Sequence, residues 1–541
     1  MYHQEEFTDD ERAVLLRFFT NTDRPVFALI NLPEVVKGAL FARYSRTHKS
    51  LRRLFLDEFY GDTETGIAEA LEDGDTVQLD AGIARADRLY DRVFSEYGDD
   101  SVAQLGGAHI ACEQASNLLT KVLEWGRLAA YLEQSTRYIF YDRKLGGRYR
   151  YHIPAELAGG PLEEEYRARM DGLFETYSAV VHNLVPYFER AFPKQDSDSE
   201  SVWRASIRAK ACDAARGLLP AATLSNVGIF ASGQAYETML IRMRSHPLAE
   251  AREYAGMMLE ELRKVIPAFL RRVDRPERGG AWSRYLADTA SRMGELAHSL
   301  DAEPRDRPEV TLVDWDEEAE SKVAAAALYA HSDLPDDQLL ELARQMPAEE
   351  RRRIILTYSG DRENRRHKPG RGMERVYYRF DIKCDFGSFR DLQRHRMLTL
   401  DWQRLTTRHG HVTPEAVREI GEARRWDDAM GSMAELHGQL AAAYGHDAAQ
   451  YAVPFACRVR FVMQMNAREA FHLLELRTAR AGHPDYRRVC QEMRRLIRDQ
   501  AGHRTIADAM SFVDTEDYGG SGLERIEAER RSEARRQGRM L

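Results

Sequence analysis

The feature that most constrains this chain is an internal echo. Residues 24–30 read RPVFALI and residues 307–313 read RPEVTLV, while Ser245-His246-Pro247 and Gly482-His483-Pro484 each follow an Arg-bearing helical segment. Self-similarity at this distance marks a diverged tandem duplication, whose elements must come in pairs. Between the copies, 274–308 concentrates Pro, Gly and charge at its ends around a short helical stretch, the mark of a boundary. The expected organisation is a first half over 1–275, a linker over 276–306, a second half over 307–518 and a charged tail over 519–541. The tail follows a GGSG and reads as a solvated helix or frayed end.

Helical periodicity runs through 11–20, 102–132, 163–191, 248–272, 320–331, 428–445 and 486–500. Short β-rich runs occur at 26–30, 310–313 and 376–382, the last written VYYRFDI with Arg379 and Asp381 breaking the apolar run as in a half-buried strand. The expected class is α+β, helix-rich. The chain has 541 residues with 78 Lys+Arg and 87 Asp+Glu, a net charge of −9. That balance gives no global basic field for nucleic acid, and the Arg runs at 351–353 and 530–531 sit among Glu residues, as solvated helix faces do. Cys112, Cys212, Cys384, Cys457 and Cys490 are odd in number and form no CxxC pair, which argues for reduced cytoplasmic thiols and against a disulfide framework or cysteine zinc site. The acidic start does not read as a secretory signal, and no stretch of 18 apolar residues offers a membrane span. No metal-ligating set is read from the sequence.

Three constellations can carry chemistry. In the first half, Glu133, Ser135 and Arg137 alternate at i, i+2 and i+4, so an extended segment presents a carboxylate, a hydroxyl and a guanidinium on one side. That set suits a nucleotide, although an ordinary surface helix end carries the same residue types. In the second half, Arg394-His395-Arg396 places three cationic or titratable groups side by side. At least one faces inward and needs an anionic partner, unless the run is a solvated cluster paired with local acids. Downstream, Arg216 precedes Leu218-Leu219-Pro220, and Asn466, Arg468 and Arg477 fall within about three helical turns, so both ends can line one face or form a polar stripe toward solvent.

Together these pieces resemble the flavin-dependent thymidylate synthases, with the family signature divided between the halves. Glu133-x-Ser135-x-Arg137-Tyr138 and Ala215-Arg216-x-x-Leu219-Pro220 match in the first half, where Trp125 and Gly126 replace an Arg and a His before Arg127. Arg394-His395-Arg396 and Asn466-Ala467-Arg468 with Arg477 match in the second. There Trp402 and Arg404 stand in place of Glu and Ser, and Gln450 replaces the Arg before Val453-Pro454. Glu374-Arg375 resembles an upstream Glu-His pair, and Arg242 aligns with Arg477 if one gap is allowed.

The resemblance implies two diverged copies of a thymidylate synthase-like domain, each helix-rich with a small antiparallel sheet. It implies deoxyuridylate on Glu133, Ser135, Arg137, Arg216 and Arg477, and FAD on Arg394, His395, Arg396, Asn466, Arg468 and Glu374. Arg477 and His395 then act at the reacting centre, with His395 orienting the flavin rather than serving as a general base. NADPH and methylenetetrahydrofolate are the implied co-substrates, no protein cysteine acts as nucleophile, and two chains pair into a four-unit assembly. Two other readings stay open: a nucleotide-binding descendant without catalysis, and a flavoenzyme that alkylates another nucleotide, its base pocket reshaped by Trp125 and Trp402.

Overall fold

The computed structural model describes residues 2–32, 34–60, 104, 106–518 and 522–536. Residues 102, 103 and 105 of the expected helix, and 519–521 and 537–541 of the tail, lie outside them. Two four-stranded antiparallel sheets organise the chain. The first comprises β1 (Val26–Leu29), β2 (Gly107–Ser116), β3 (Ala129–Glu133) and β4 (Leu224–Ser232) in the order β1-β2-β4-β3. The second comprises β5 (Val310–Trp315), β6 (Tyr377–Asp385), β7 (Leu398–Trp402) and β8 (Arg458–Asn466) in the order β5-β6-β8-β7. Each sheet therefore follows the same topology, and the echoed RPVFALI and RPEVTLV become β1 and β5, its first strands. Helices Gly233–Arg244 and Ala249–Arg263 flank the first His-Pro, and Ala467–Arg477 and Pro484–Asp499 flank the second. The chain is two diverged copies of one α+β unit.

Periodicity located several helices closely: Glu163–Ala191, Ala319–Tyr329, Pro484–Asp499, and Ala423–Ala449, which is interrupted at Gly445 with φ of 85°. It failed over 102–132, where the chain instead forms β2, the helix Asn117–Leu123 and β3. The physical reason is that β2 lies between β1 and β4 and buries residues on both faces, so the period of two that marks a half-exposed strand is missing. The second sheet keeps it: β8 alternates buried and half-buried residues along its whole length. The short helical stretch expected near the boundary is the twenty-residue helix Gly279–His298.

Two compact units emerge, and each takes a segment from the other half. One consists of Met1–Ser178, Leu219–Ala302 and Glu435–Ala452. Its borrowed segment is fixed by Tyr451, whose backbone oxygen accepts from Ala222 N at 3.1 Å and whose hydroxyl donates to buried Glu250 at 2.8 Å. The other consists of Ala179–Leu218, Glu303–Ala434 and Val453–Leu541. Here the borrowed segment is fixed by the bond from Ala456 N to Gly217 O at 2.9 Å and by Trp426, whose ring lies so close to Gly217 that an added Cβ would meet it at 2.7 Å.

The described part of the tail is a helix docked on its own unit, where a solvated helix or frayed end is expected from the sequence. Its helix Ile526–Arg536 packs on the helix Glu200–Ala215 of the same unit. Glu533 accepts from Ser199 and Ser201, Lys210 pairs with Glu524 at 2.7 Å, and Arg530 pairs with Asp198 at 2.6 Å.

Candidate functional site

In the second unit, the helix Phe386–Leu392 leaves β6, ends before Arg394-His395-Arg396 and hands the chain to β7. Asp385 is its N-cap, accepting from Ser388 N at 2.8 Å. The alternation that follows turns His395 inward and leaves Arg394 and Arg396 exposed. From β8 the helix Ala467–Arg477 begins with Asn466 as its cap, whose side-chain oxygen accepts from Glu469 N at 2.8 Å. Arg216 enters from the borrowed segment, at the head of the short 3-10 helix Arg216–Leu218.

These elements converge on Asp391. Arg216 Nη1 donates to Asp391 Oδ2 at 3.4 Å, while Arg394 Nη1 and Arg477 Nη1 lie 3.8 and 3.7 Å from Oδ1. Arg216 is nearly buried and its Nη2 has no acceptor among the described residues. A relay stands beside this cluster. Arg477 Nε donates to His395 Nε2 at 3.0 Å, His395 Nδ1 lies 3.0 Å from Glu469 Oε1, and His472 Nδ1 lies 3.3 Å from Glu469 Oε2.

Burial lowers His395 to about 4, aided by the Arg477 cation and against the pull of Glu469. Burial alone would raise Glu469, yet the hydrogen bonds from the two histidines hold it at about 2. At neutral pH His395 is therefore neutral beside an ionised Glu469. Since Nε2 accepts from Arg477, the network assigns the ring proton to Nδ1. Such an imidazole has no free lone pair with which to act as a base; it orients Arg477.

Ligand atoms of His395, Glu469 and His472 all lie within 4.8 Å of one another, a spacing that can hold a metal ion and that chain separation conceals. The guanidinium against His395 Nε2 opposes a cation there, because it fixes the proton on the nitrogen that would have to coordinate.

The remaining second-half residues make contacts of their own. Arg468 donates from Nε to Pro369 O at 2.9 Å and pairs with Glu374 at 3.3 Å, and Glu374 also holds Arg371. Arg375 pairs with Asp336. Arg216 and Asp385 also line a cavity of about 510 Å³ with Trp426, Phe455, His483 and Tyr518. Burial and the nearby Asp485 push Asp385 up to about 7, against the pull of Arg216.

Glu133, Ser135 and Arg137 belong to the other unit, so the structure groups Arg216 with the second-half residues rather than with them. Glu133 ends β3, and its buried carboxylate accepts from Thr120 at 3.0 Å and Lys121 at 3.3 Å. Ser135 Oγ accepts from Arg137 N at 3.3 Å. The places that correspond to the Asp391 cluster have changed chemistry here: Arg242 lies 4.3 Å over the ring of Trp125 and donates to Val122 O, and Gln450 heads the 3-10 helix that matches that of Arg216. Sequence reasoning assigned no role to Asp391, Glu469, Asp385 or Gly387. An Asp directly before an apolar helical run is a cap signal and could have located Asp385; nothing local marks the others.

All five cysteines are free and buried, and burial pushes the thiols of Cys457 and Cys490 to about 12. None is disposed to act as a nucleophile. Among the described residues no helix is long and apolar enough to cross a membrane.

A fold of two matched copies with an Arg-His-Arg cluster in one of them defines a class, and comparison with known proteins places the chain in it. The family described as thymidylate synthase complementing protein matches residues 48–268 and 311–501, one segment in each copy, and the chain belongs to that family. It is 38% identical to a UPF0159 protein of Chlamydia muridarum over 541 residues, covering 98% of this chain and 99% of that protein. A UPF0159 protein of Thermoplasma acidophilum is 30% identical over 510 residues, covering 89% and 96%. Among solved structures, a UMP/dUMP methylase from Streptomyces cacaoi bound with 5-Br dUMP is 18% identical, with a TM-score of 0.30 over 39% of this chain and 97% of that one.

Proposed function

We propose that this protein is a flavin-dependent enzyme of the thymidylate synthase type, methylating deoxyuridylate to thymidylate with methylenetetrahydrofolate and NADPH. The observation that carries this reading is the convergence of Arg216, Arg394 and Arg477 on one carboxylate beside His395. Clustered guanidiniums around a single acid are arranged for an anion, and forked donors match a phosphate.

The donor set also fits FAD. Arg394 and Arg396 are exposed guanidiniums flanking His395 and, with Arg468, would hold a pyrophosphate. Asn466 uses its oxygen as a cap, leaving its amide nitrogen as a donor. The chemistry FAD would supply there is hydride delivery that completes the methyl group. His395, neutral and fixed by Glu469, orients Arg477; Arg477 and Arg216 bind the nucleotide phosphate; Glu133, Ser135 and Arg137 are assigned to the nucleotide as well. Pairing of two chains into a four-unit assembly and a cytoplasmic location belong to the same proposal.

The test is the visible spectrum of the purified protein with added FAD, then NADPH with and without deoxyuridylate under anaerobic conditions, followed by product analysis with methylenetetrahydrofolate. Bleaching and thymidylate formation support the reading; a protein that takes up no flavin sinks it. A specific observation favours one second reading, a different nucleotide as substrate. Trp402 ends β7 where Glu133 ends β3, and its ring lies 5.6 Å from that of Phe389, so that position offers an aromatic face rather than a carboxylate. Bleaching without thymidylate would select it.

A further inference from the structure

Asp391 has no assigned part in that chemistry, yet three guanidiniums share it. Two of them are nearly buried, with 4% of the Arg216 side chain and 14% of the Arg477 side chain exposed, while Arg394 has 39%. Their contacts with the carboxylate, at 3.4, 3.7 and 3.8 Å, are long beside the roughly 2.7–2.9 Å of a well-made charge-assisted bond.

The two buried guanidiniums do not depend on Asp391 for their place. Arg477 is held by its Nε bond to His395 at 3.0 Å and lies 5.6 Å over the ring of Tyr486. Arg216 rests against the backbone at Gly387, where an added Cβ would stand 3.3 Å from its Nε and 3.4 Å from its Cζ. Its Nη2 is buried without an acceptor, so the site keeps at least one donor in reserve. The carboxylate offsets the charge of these guanidiniums in low-dielectric surroundings.

We propose that Asp391 is an internal place-holder for the phosphate of the nucleotide, offsetting the charge of Arg216 and Arg477 until a phosphate takes over those guanidiniums. This rests on the nucleotide reading of the site. The place-holder acts as a resident competitor. It keeps the empty site stable and repels the incoming anion, so its charge lowers phosphate affinity and raises specificity for ligands whose other groups make up the difference.

The experiment is isothermal titration of inorganic phosphate, and separately of deoxyuridylate, into the full-length protein and its Asp391→Asn variant. The variant is expected to bind both about tenfold or more tightly, because a like charge has been removed from the site. It is also expected to melt at a lower temperature than wild type in phosphate-free buffer and to regain more of that loss when phosphate is added. Phosphate binding no tighter than in wild type would overturn the place-holder role. So would weaker deoxyuridylate binding with phosphate binding unchanged, which would make Asp391 a reader of the base. Asp391→Glu keeps the charge and reaches one methylene further among the guanidiniums, so it is expected to weaken phosphate binding even if Asp391→Asn does not fold; tighter or equal binding by the Glu variant counts against the role. If neither wild type nor variant binds either ligand, the nucleotide reading itself fails. If wild type binds deoxyuridylate normally and only the expected gain is missing, that reading stands and the place-holder role alone is lost.

Discussion

His395 and Arg477 act as a pair, since one side chain's proton position is set by the other. Arg477→Lys removes the Nε donor to His395 and the fork that faces Asp391, so deoxyuridylate affinity should fall about tenfold to a hundredfold, read by titration, with little change in melting temperature. His395→Gln should cost flavin reduction rate more than flavin affinity, because it loosens Arg477 while leaving Arg394 and Arg396 in place. Acid sensitivity follows from His246, His395 and His503, each lowered to about 4 chiefly by burial. Their unfolded value is about 6.5, so between these limits the unfolded chain binds more protons and stability falls as pH drops from about 6.5 toward 4. Asp385 works in the opposite sense: raised to about 7 in the fold and about 3.9 when unfolded, it takes stability away as pH rises through that window. Asp385→Asn keeps a cap of equal quality, so its melting temperature should gain on wild type between about pH 4 and pH 7; a gap that stays flat would mean Asp385 is ionised throughout. The cationic residues of this site were legible through the family resemblance that their order carries, since spacing alone fits a solvated cluster equally well. Their acids were not, because Asp391 and Glu469 become partners only through contacts from elements far apart in the chain.

Among the elements, close approach at two glycines decides where the borrowed segment lies. Gly387→Ala would place a methyl 3.0 Å from Asp385 Oδ1 and 3.3 Å from Arg216 Nε, shifting the guanidinium; phosphate binding should weaken severalfold while stability drops by about 1–2 kcal/mol. Gly217→Ala meets the rigid Trp426 ring at 2.7 Å and should cost about 1–3 kcal/mol, seen as a lower denaturation midpoint with unchanged slope. Legibility varied with burial. Amphipathic helices such as Glu163–Ala191 and Pro484–Asp499 were found near their true ends because one face meets solvent. β2, enclosed by neighbours on both edges, looked helical, and β3, β4, β7 and β8 were not identified at all, since their pairing partners lie far away in sequence. The docking of the tail helix is not readable from the sequence for a related reason: its charges meet Ser199, Lys210 and Asp198, which no local pattern connects to it.

For the whole molecule, the echo RPVFALI/RPEVTLV predicted paired architecture, and the two sheets with one topology bear it out. What repetition could not reveal is that each compact unit borrows from the other half, Ala179–Leu218 one way and Glu435–Ala452 the other. Halves cut between residues 302 and 303 should therefore fail to fold alone, remaining aggregated or lacking a cooperative melt, and should recover a cooperative transition when produced together; two independently stable halves would contradict this. The exchange also gives the chain a ratchet. An ancestor with one copy could close its units by pairing with an identical neighbour, but here Arg216 lies in one copy and Arg394, His395 and Arg477 in the other, so deleting either copy dismantles the cluster on Asp391. The two copies have become heritable as one.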